Sequence, residues 1–558
     1  MDRRTLLFVV VSVGILLGYQ ELVLNRLAPP PVEPNATATA SPGVASSQQA
    51  EAPVATAGQP PAEDLPAVEH AQGPTAAAAP VPGRRILVET DLYRATINTA
   101  GGRLESFKLK AYRQTLAAES PLLDLVVAAP EVGLPLGVEL RGAQVWSDAG
   151  TTYQADRESI SLSGATETTL ELRATIGTAP VVKRFVFHGN TYPIDLTIET
   201  PPPAGLPAGL REDGPDGSPP AMALMWARGI DPAEAEASTQ TEGAAALIDS
   251  KLELYKPGDL EVPVVLPGPV EWAGFEDHYF LTVAAPTGAN AVRVRARGHA
   301  IESRIVSPRD ATGATTTQYM LYLGPKERSD LIAAGHDLLR GLNLGWFGPI
   351  SLLLLDLLLF LHRFSGNWGV DIILLTVLVK LGFWPLTRKS FESMKNMQKL
   401  QPEMARIRER YKDDSQKMNQ EIMELYRRHK VNPMGGCLPM LLQIPVFFGL
   451  YQLLANTIEL RQAPFGFWIH DLAAPERLEL FGFGVPVLTL LLGATMFLQQ
   501  RMTPAQGDPT QQRIMMFMPL VFTFMFIGFP AGLTLYWLTN NVLTIAQQWL
   551  NLRSPKTA

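Results

Sequence analysis

Cysteine is almost absent from this chain: Cys437 is the only one in 558 residues. No disulfide can form within it, so any exported domain is held by its apolar core alone. Histidine is sparse as well, and His188, His278 and His299 are scattered without metal-ligand spacing. Neither His-Glu-x-x-His nor Gly-x-Ser-x-Gly occurs, and there is no Gly-rich phosphate loop followed by Lys-Ser or Lys-Thr. These absences argue against a metalloprotease, a nucleophile-elbow hydrolase and a nucleotide-driven machine. They predict a protein that is not an enzyme, with no cofactor, no bound metal and no catalytic residue. The net charge is only −7, but it is distributed unevenly, and the length exceeds one domain.

Long apolar runs dominate what is present. Leu6–Leu24 follows Arg3 and Arg4 and is longer than a signal h-region of about 15 residues. The small-residue site Ala36-Thr-Ala38 lies too far downstream for cleavage, so residues 1–27 read as a membrane anchor with a cytoplasmic N-terminus. Residues 28–83 are rich in Pro and Ala with almost no large apolar side chain. Such a segment buries no core and reads as a disordered tether with a reach of about 40 Å.

Residues 84–340 read as a β domain ending in a helix. Period-two alternation appears in Tyr93–Ile97, Arg184–Phe187, Ile194–Ile198 and Val292–Ala296, with a turn at Gly189-Asn190. Many Gly/Pro turns and few helical stretches predict a large, all-β antiparallel sandwich.

Beyond it, apolar segments fall at Trp346–Leu361, Gly369–Leu386, Cys437–Ala455, Gly484–Leu498, Ile514–Phe529 and Ala531–Leu550. The stretch Arg388–Lys430 holds twelve Lys/Arg against seven Asp/Glu, which places it in the cytoplasm. With the β domain outside, only one of the first two segments can cross. Asp356 and His362-Arg363 make residues 341–368 an interfacial amphipathic helix, anchored by Trp346 and Trp368. The result is six spans with both termini cytoplasmic: the anchor plus a five-helix core, residues 369–558. The last two spans share a turn at Gly528–Gly532 and are short for a bilayer.

Lys380 is a lone cation inside the run Gly369–Leu386. An ammonium near mid-membrane costs roughly 2.5–3.5 kcal/mol on insertion scales, so it is expected to face protein or water. Snorkelling is the other reading, because Arg388 lies only about 12 Å of helix away. Thr376, one turn earlier on the same face, extends the polar stripe away from that interface. Further polar residues recur in the spans: Gln443, Thr495 and Gln499, Thr523, then Tyr536, Asn540, Thr544 and Gln547 at helical spacing. Each alone fits ordinary helix–helix hydrogen bonding. Together with a lysine they read as the lining of a hydrated groove.

The cytoplasmic hairpin, 388–430, reads as two amphipathic helices broken near Asp413-Asp414. Met394, Met397 and Met404 on one arm and Met418 and Met423 on the other suit variable apolar partners, or simply the packing of a hairpin. Arg406, Arg408, Arg410, Arg427 and Arg428 suit anionic lipid or RNA phosphate, without reading nucleic-acid sequence.

Several ordered motifs carry a resemblance. Pro385-Leu-Thr-Arg-Lys-Ser390, Met397-Gln-Lys-Leu-Gln-Pro402, Val431-Asn-Pro-Met-Gly-Gly-Cys437, Gln443-Ile-Pro445, Leu460-Arg-Gln-Ala-Pro-Phe465, Trp468-Ile-His-Asp-Leu472 and Phe517-Met-Pro519 resemble the YidC membrane protein insertase family. Gly366-Asn-Trp-Gly369 and Tyr322-Leu-Gly-Pro-Lys326 fit it too. The large outer domain resembles the Gram-negative branch, in the inner membrane. The resemblance implies insertion of nascent membrane proteins into the lipid bilayer, alone or with the Sec translocon, with a weak or transient ribosome contact and no nucleotide hydrolysis. It implies a groove whose positive charge, usually arginine, is Lys380 here, without the planar fork of a guanidinium. It also implies substrate contact by Thr376, Phe447, Tyr536 and Trp537, the last standing where a second aromatic is usual. After Leu550 only Asn551–Ala558 follow, so docking to ribosomes through a long basic extension is not expected. The competing class is a secondary transporter, against which no internal repeat and no paired broken helices are visible.

Overall fold

The computed structural model describes residues 83–558 apart from 118, 129–131, 202–205, 215–218, 230–242, 298–299, 309–315, 413, 430, 432–437, 503–508 and 554–558. The expected anchor and nearly all of the expected tether lie outside the described residues. So do His299, Asp413 and Cys437, as well as the side chain of Met394.

Three sheets build the β domain. The largest has nine strands, and its middle runs Phe280–Pro286, Thr316–Pro325, Ile194–Glu199 and Ala179–His188; the second has six strands, the third five. Alternation along the strands decides what faces inward: Ala179–His188 buries every second residue, including Val181, Phe185 and Phe187. These side chains join Trp272, Phe275 and Val283 from their own sheet and Leu224, Trp226, Val292 and Ile305 from the six-stranded sheet in one apolar core. Each buried Phe or Leu contributes about 1.5–3 kcal/mol, which is how a domain without disulfides is held.

The expectation of a purely antiparallel sandwich needs correction. Arg85–Glu89 pairs in parallel with Ser159–Ser161, and a third sheet stands beside the two larger ones. A parallel pair requires a long crossover, and the roughly seventy residues between these strands supply it.

One buried polar cluster interrupts the core. Lys183, fully buried, donates to Asp148 at 2.7 Å and to the carbonyls of Gly101 and Leu136 at 2.9 and 2.8 Å. Arg103 donates to the other oxygen of Asp148 at 2.8 Å, and the Val138 amide and Tyr153 hydroxyl complete its shell. Burial pushes the Lys183 ammonium down to about 8, with Asp148 opposing that shift. Every charged atom of the pair is satisfied, the condition under which buried charges persist.

The chain leaves the domain through α1, Arg328–Ala334, and continues as α2, Gly348–Ser365; α3, Trp368–Lys399; α4, Gln401–Arg410; and α5, Ser415–Arg428. Then follow α6, Leu438–Asn456; α7, Val487–Met502; α8, Pro509–Phe526; and α9, Ala531–Arg553. The Gly-Asn-Trp-Gly motif makes the corner between α2 and α3. Gly366 ends α2 at φ 64°, and Asn367 Oδ1 caps α3 by accepting from Gly369 and Val370 at 3.0 and 3.2 Å. Gly369 admits Phe465, whose ring would lie 2.1 Å from a Cβ there.

Two helices differ from the sequence expectation. The run Gly369–Leu386 is part of a longer helix that passes through Pro385 to Lys399, so the first arm of the cytoplasmic hairpin is largely a continuation of α3. The segment expected to cross from Gly484 begins as strand, and its helix starts only at Val487. Among the described residues, Gly348–Ser365 and Trp368–Ser390 are long and apolar enough to cross a bilayer by length and composition; Met516–Phe526 is a shorter apolar stretch.

Candidate functional site

Three helices, α3, α6 and α9, pack against one another, and the lysine lies on the first of them. Lys380, half-buried on α3, donates from Nζ to Thr544 Oγ1 on α9 at 2.8 Å, and that hydroxyl itself donates to the Asn540 carbonyl at 2.6 Å. Among the described residues no carboxylate pairs with Lys380. Thr376 is buried one turn earlier, and its hydroxyl is used within α3, donating to the Ile372 carbonyl at 2.6 Å. It therefore extends the buried side of α3 and offers no free donor.

From α6, Gln443 is hydrogen-bonded to the buried Tyr536. Phe447 meets Trp537 edge to face with ring centroids 5.2 Å apart, and Trp537 also packs on Phe526 of α8 at 4.6 Å. Thr376, Lys380, Gln443, Phe447, Tyr536, Trp537 and Asn540 thus lie on one three-helix assembly.

Two further polar residues of α9 were not singled out from sequence. Asn541 and Gln548 sit beside Asn540 and Gln547 on α9, and the buried atoms Trp537 Nε1, Asn541 Nδ2, Gln547 Nε2 and Gln548 Oε1 have no hydrogen-bond partner among the described residues. A doublet such as Asn540-Asn541 places its members about 100° apart on a helix. Spacing alone therefore could not say which member turns inward.

The hairpin residues are not brought to this assembly. Met397 and Met404 pack with Ile407, Ile422, Leu425 and Tyr426 in a small core of their own, while Met423 is exposed. Arg406, Arg408, Arg410 and Arg427 are exposed, and Arg428 pairs with Glu424 at 3.0 Å. Asp414 caps α5 by accepting from the Lys417 amide at 3.0 Å.

At the other end of the helices the β domain is docked on the loop after α6. His278 meets the Ala455 carbonyl, Arg461 donates to the Arg113 carbonyl at 2.9 Å, and Ile458 enters the domain core. Arg328 of α1 pairs with Asp356, near the middle of α2, at 3.2 Å. Glu327, Arg328, Asp356, His362 and Glu459 line one cleft of about 680 Å³. Burial raises the Glu459 carboxyl to about 7, with Glu327 and Asp330 adding to the effect, and burial raises Asp330 to about 6.

Residues 85–357 match the family described as the YidC periplasmic domain, and residues 360–557 match the 60Kd inner membrane protein family. The membrane protein insertase YidC of Syntrophus aciditrophicus (strain SB) is 39% identical over 98% of this chain and 99% of its own. The one of Nitratidesulfovibrio vulgaris (strain DSM 19637 / Miyazaki F) is 40% identical over 85% of this chain and 87% of its own. Among solved structures, an active YidC insertase with its first transmembrane domain resolved is 19% identical, covering 84% of this chain and 94% of that one, with a TM-score of 0.35.

These findings define a membrane protein insertase of the inner membrane with a β-rich periplasmic domain. The chain belongs to the YidC family.

Proposed function

We propose that apolar segments of nascent membrane proteins enter the assembly of α3, α6 and α9 and pass from it into lipid without nucleotide hydrolysis or covalent chemistry. The observation that carries this is the state of Lys380: a cation within a helix long and apolar enough to span, held by one neutral hydroxyl. An ammonium unpaired by a carboxylate attracts an acidic or polar flank on the incoming segment. The unpartnered polar atoms along α9 favour a wet groove, since buried polar groups are normally satisfied by protein or water. A wet groove lowers the cost of carrying that flank partway across. Once the apolar segment reaches lipid, burial at about 25 cal/mol per Å² favours completion.

The topology that supports this use has six spans and cytoplasmic termini, with α2 lying along the outer interface. The Arg328–Asp356 pair supports that placement of α2. In a helix standing across the bilayer, the middle residue would lie about 15 Å deep, beyond the reach of a periplasmic arginine. The Sec translocon, and a ribosome held weakly through the basic hairpin, are the partners proposed for this scheme.

Reconstitution in liposomes tests the reading. Protease-protected insertion of a single-span substrate, without nucleotide and dependent on Lys380, is expected. Solute flux without insertion would instead indicate a transporter, and product turnover an enzyme.

A further inference from the structure

We infer that the hairpin Leu478–Val485 is a shallow lipid anchor that completes the short span α7 in the outer leaflet. The inference rests on the topology proposed above and adds a membrane-contacting element to it.

Strand Leu478–Leu480 pairs antiparallel with Phe483–Val485, Leu478 opposite Val485, Glu479 opposite Gly484 and Leu480 opposite Phe483. Cross-strand partners share a face, and alternate residues share a face. One face is therefore wholly apolar: Leu478, Leu480, Phe483 and Val485. The other carries Glu479, with the stem of Arg477 lying over Gly484. An isolated two-stranded hairpin is marginal in water, and the outer half of this apolar face, Leu480 and Phe483, is left exposed by the described parts of the protein, while Leu478 and Val485 at its base are partly buried. Phe483 is 76% exposed and Phe481, at the turn, 99% exposed.

The turn residue is itself informative. Phe481 and Gly482 both have positive φ, 52° and 82°, the pattern in which Asn-Gly or Asp-Gly is preferred. A bulky aromatic in that region is costly and gains nothing from water. Phe467, on the neighbouring turn, repeats the combination with φ 55° and 93% exposure. Two exposed phenylalanines held in left-handed turns indicate a cover of another kind.

Three contacts fix where the hairpin sits. Glu476, buried at its base, accepts from the Leu488 amide of α7 at 2.9 Å and from Trp468 Nε1 at 2.8 Å. Arg477 reaches the Ile527 carbonyl in the turn between α8 and α9 at 3.1 Å. Only Pro486 separates the hairpin from α7. The apolar face is thus held at the outer mouth of three helices.

Length supplies the independent argument for lipid as the cover. α7 has 16 residues, about 24 Å of helix, against a hydrocarbon core of roughly 30 Å. No charged residue lies between Glu479 and Arg501, so the uncharged run extends past the helix into Leu480–Pro486. Two or three extended residues at about 3.3 Å each make up the shortfall. The depth is limited, because open strand edges are not tolerated in the hydrocarbon interior. The hairpin therefore sits at the level of the glycerol and the upper acyl chain.

The test uses the full-length chain with Cys437→Ala, kept only if it supports growth of a depletion strain, and single cysteines Phe481→Cys, Phe483→Cys and Glu479→Cys carrying an environment-sensitive fluorophore in proteoliposomes. The labels at 481 and 483 are expected to be blue-shifted, quenched by a nitroxide near the top of the acyl chain more than by one near its methyl end, and insensitive to iodide. The label at 479 is expected to behave oppositely. Iodide quenching at 481 as strong as at 479 would place the tip in water and overturn the proposal. A blue-shifted label untouched by nitroxide lipids would show a protein cover and overturn it too. The topology is read separately, by an impermeant maleimide on spheroplasts carrying Glu479→Cys: labelling only after lysis would refute the outside placement itself.

Discussion

Lys380 and Thr544, 164 positions apart, are joined by one 2.8 Å hydrogen bond that ties the third helix to the last. Because Thr544 already donates to Asn540, its remaining role toward Lys380 is to accept. The lysine is thereby held against α9, away from the side of α3 where Leu374, Leu378 and Leu381 are exposed.

Charge at position 380 should therefore matter more than its exact geometry. Lys380→Arg is expected to support growth of a depletion strain, whereas Lys380→Ala and Lys380→Glu fail for substrates with charged translocated flanks. Thr544→Val, which removes the acceptor and keeps the charge, should cost about 1 kcal/mol of positioning, visible as a several-fold slower insertion in proteoliposomes. Wild-type growth with Lys380→Glu would end this account.

The hairpin of residues 388–430 is held by one small core, to which no described residue from Tyr411 to Glu421 contributes. Hydrogen exchange in nanodiscs should be fast near Asp414 and slow across residues 369–386. Removing residues 388–430 should abolish insertion while leaving the spans folded. Equal protection at the tip and in the spans would contradict a mobile hairpin that captures incoming apolar segments.

The stability contributed by Glu459 and Asp330, near where the periplasmic domain meets the loop after α6, should fall as pH rises from about 4 to 7. Glu459 and Asp330 have folded values raised to about 7 and about 6, so the folded state holds more protons than the unfolded one between those values and the ordinary 4.5 and 3.8. The contribution of these two groups to stability consequently falls with pH across that window and is flat above it. Glu459→Gln should remove most of the dependence, as read by thermal unfolding at pH 5 and pH 8. An unchanged pH difference in that variant would refute the assignment.

Asp148→Ala leaves Lys183 and Arg103 buried without their carboxylate and should destabilise the periplasmic domain by about 3–5 kcal/mol. Deleting much of residues 84–300 should nevertheless spare the insertion of small substrates, because the proposed groove is built from α3, α6 and α9. Complete loss of insertion by a stably expressed deletion would show that the domain belongs to the engine.

Much of this protein is legible in the order of its residues. Period-two alternation located strands such as Tyr93–Asn98 and Ala291–Arg297, because one face of each is buried and the other wet. The apolar runs mark the helices, and the ordered motifs carry the family. Lys380 stood out for an equally local reason, since nothing near it in sequence could neutralise an ammonium in an apolar run. Tertiary structure alone decided the rest. Parallel pairing of Arg85–Glu89 with Ser159–Ser161, the passage of α3 through Pro385 and the turn inward of Asn541 depend on partners distant in the chain. The hairpin before α7 is the clearest case: Gly484-Val485 reads as the start of a membrane helix by composition. It folds as strand because it pairs with Leu478–Leu480, while Glu476 accepts from the Leu488 amide at the start of α7 and Pro486 disfavours helical geometry at the residue before it.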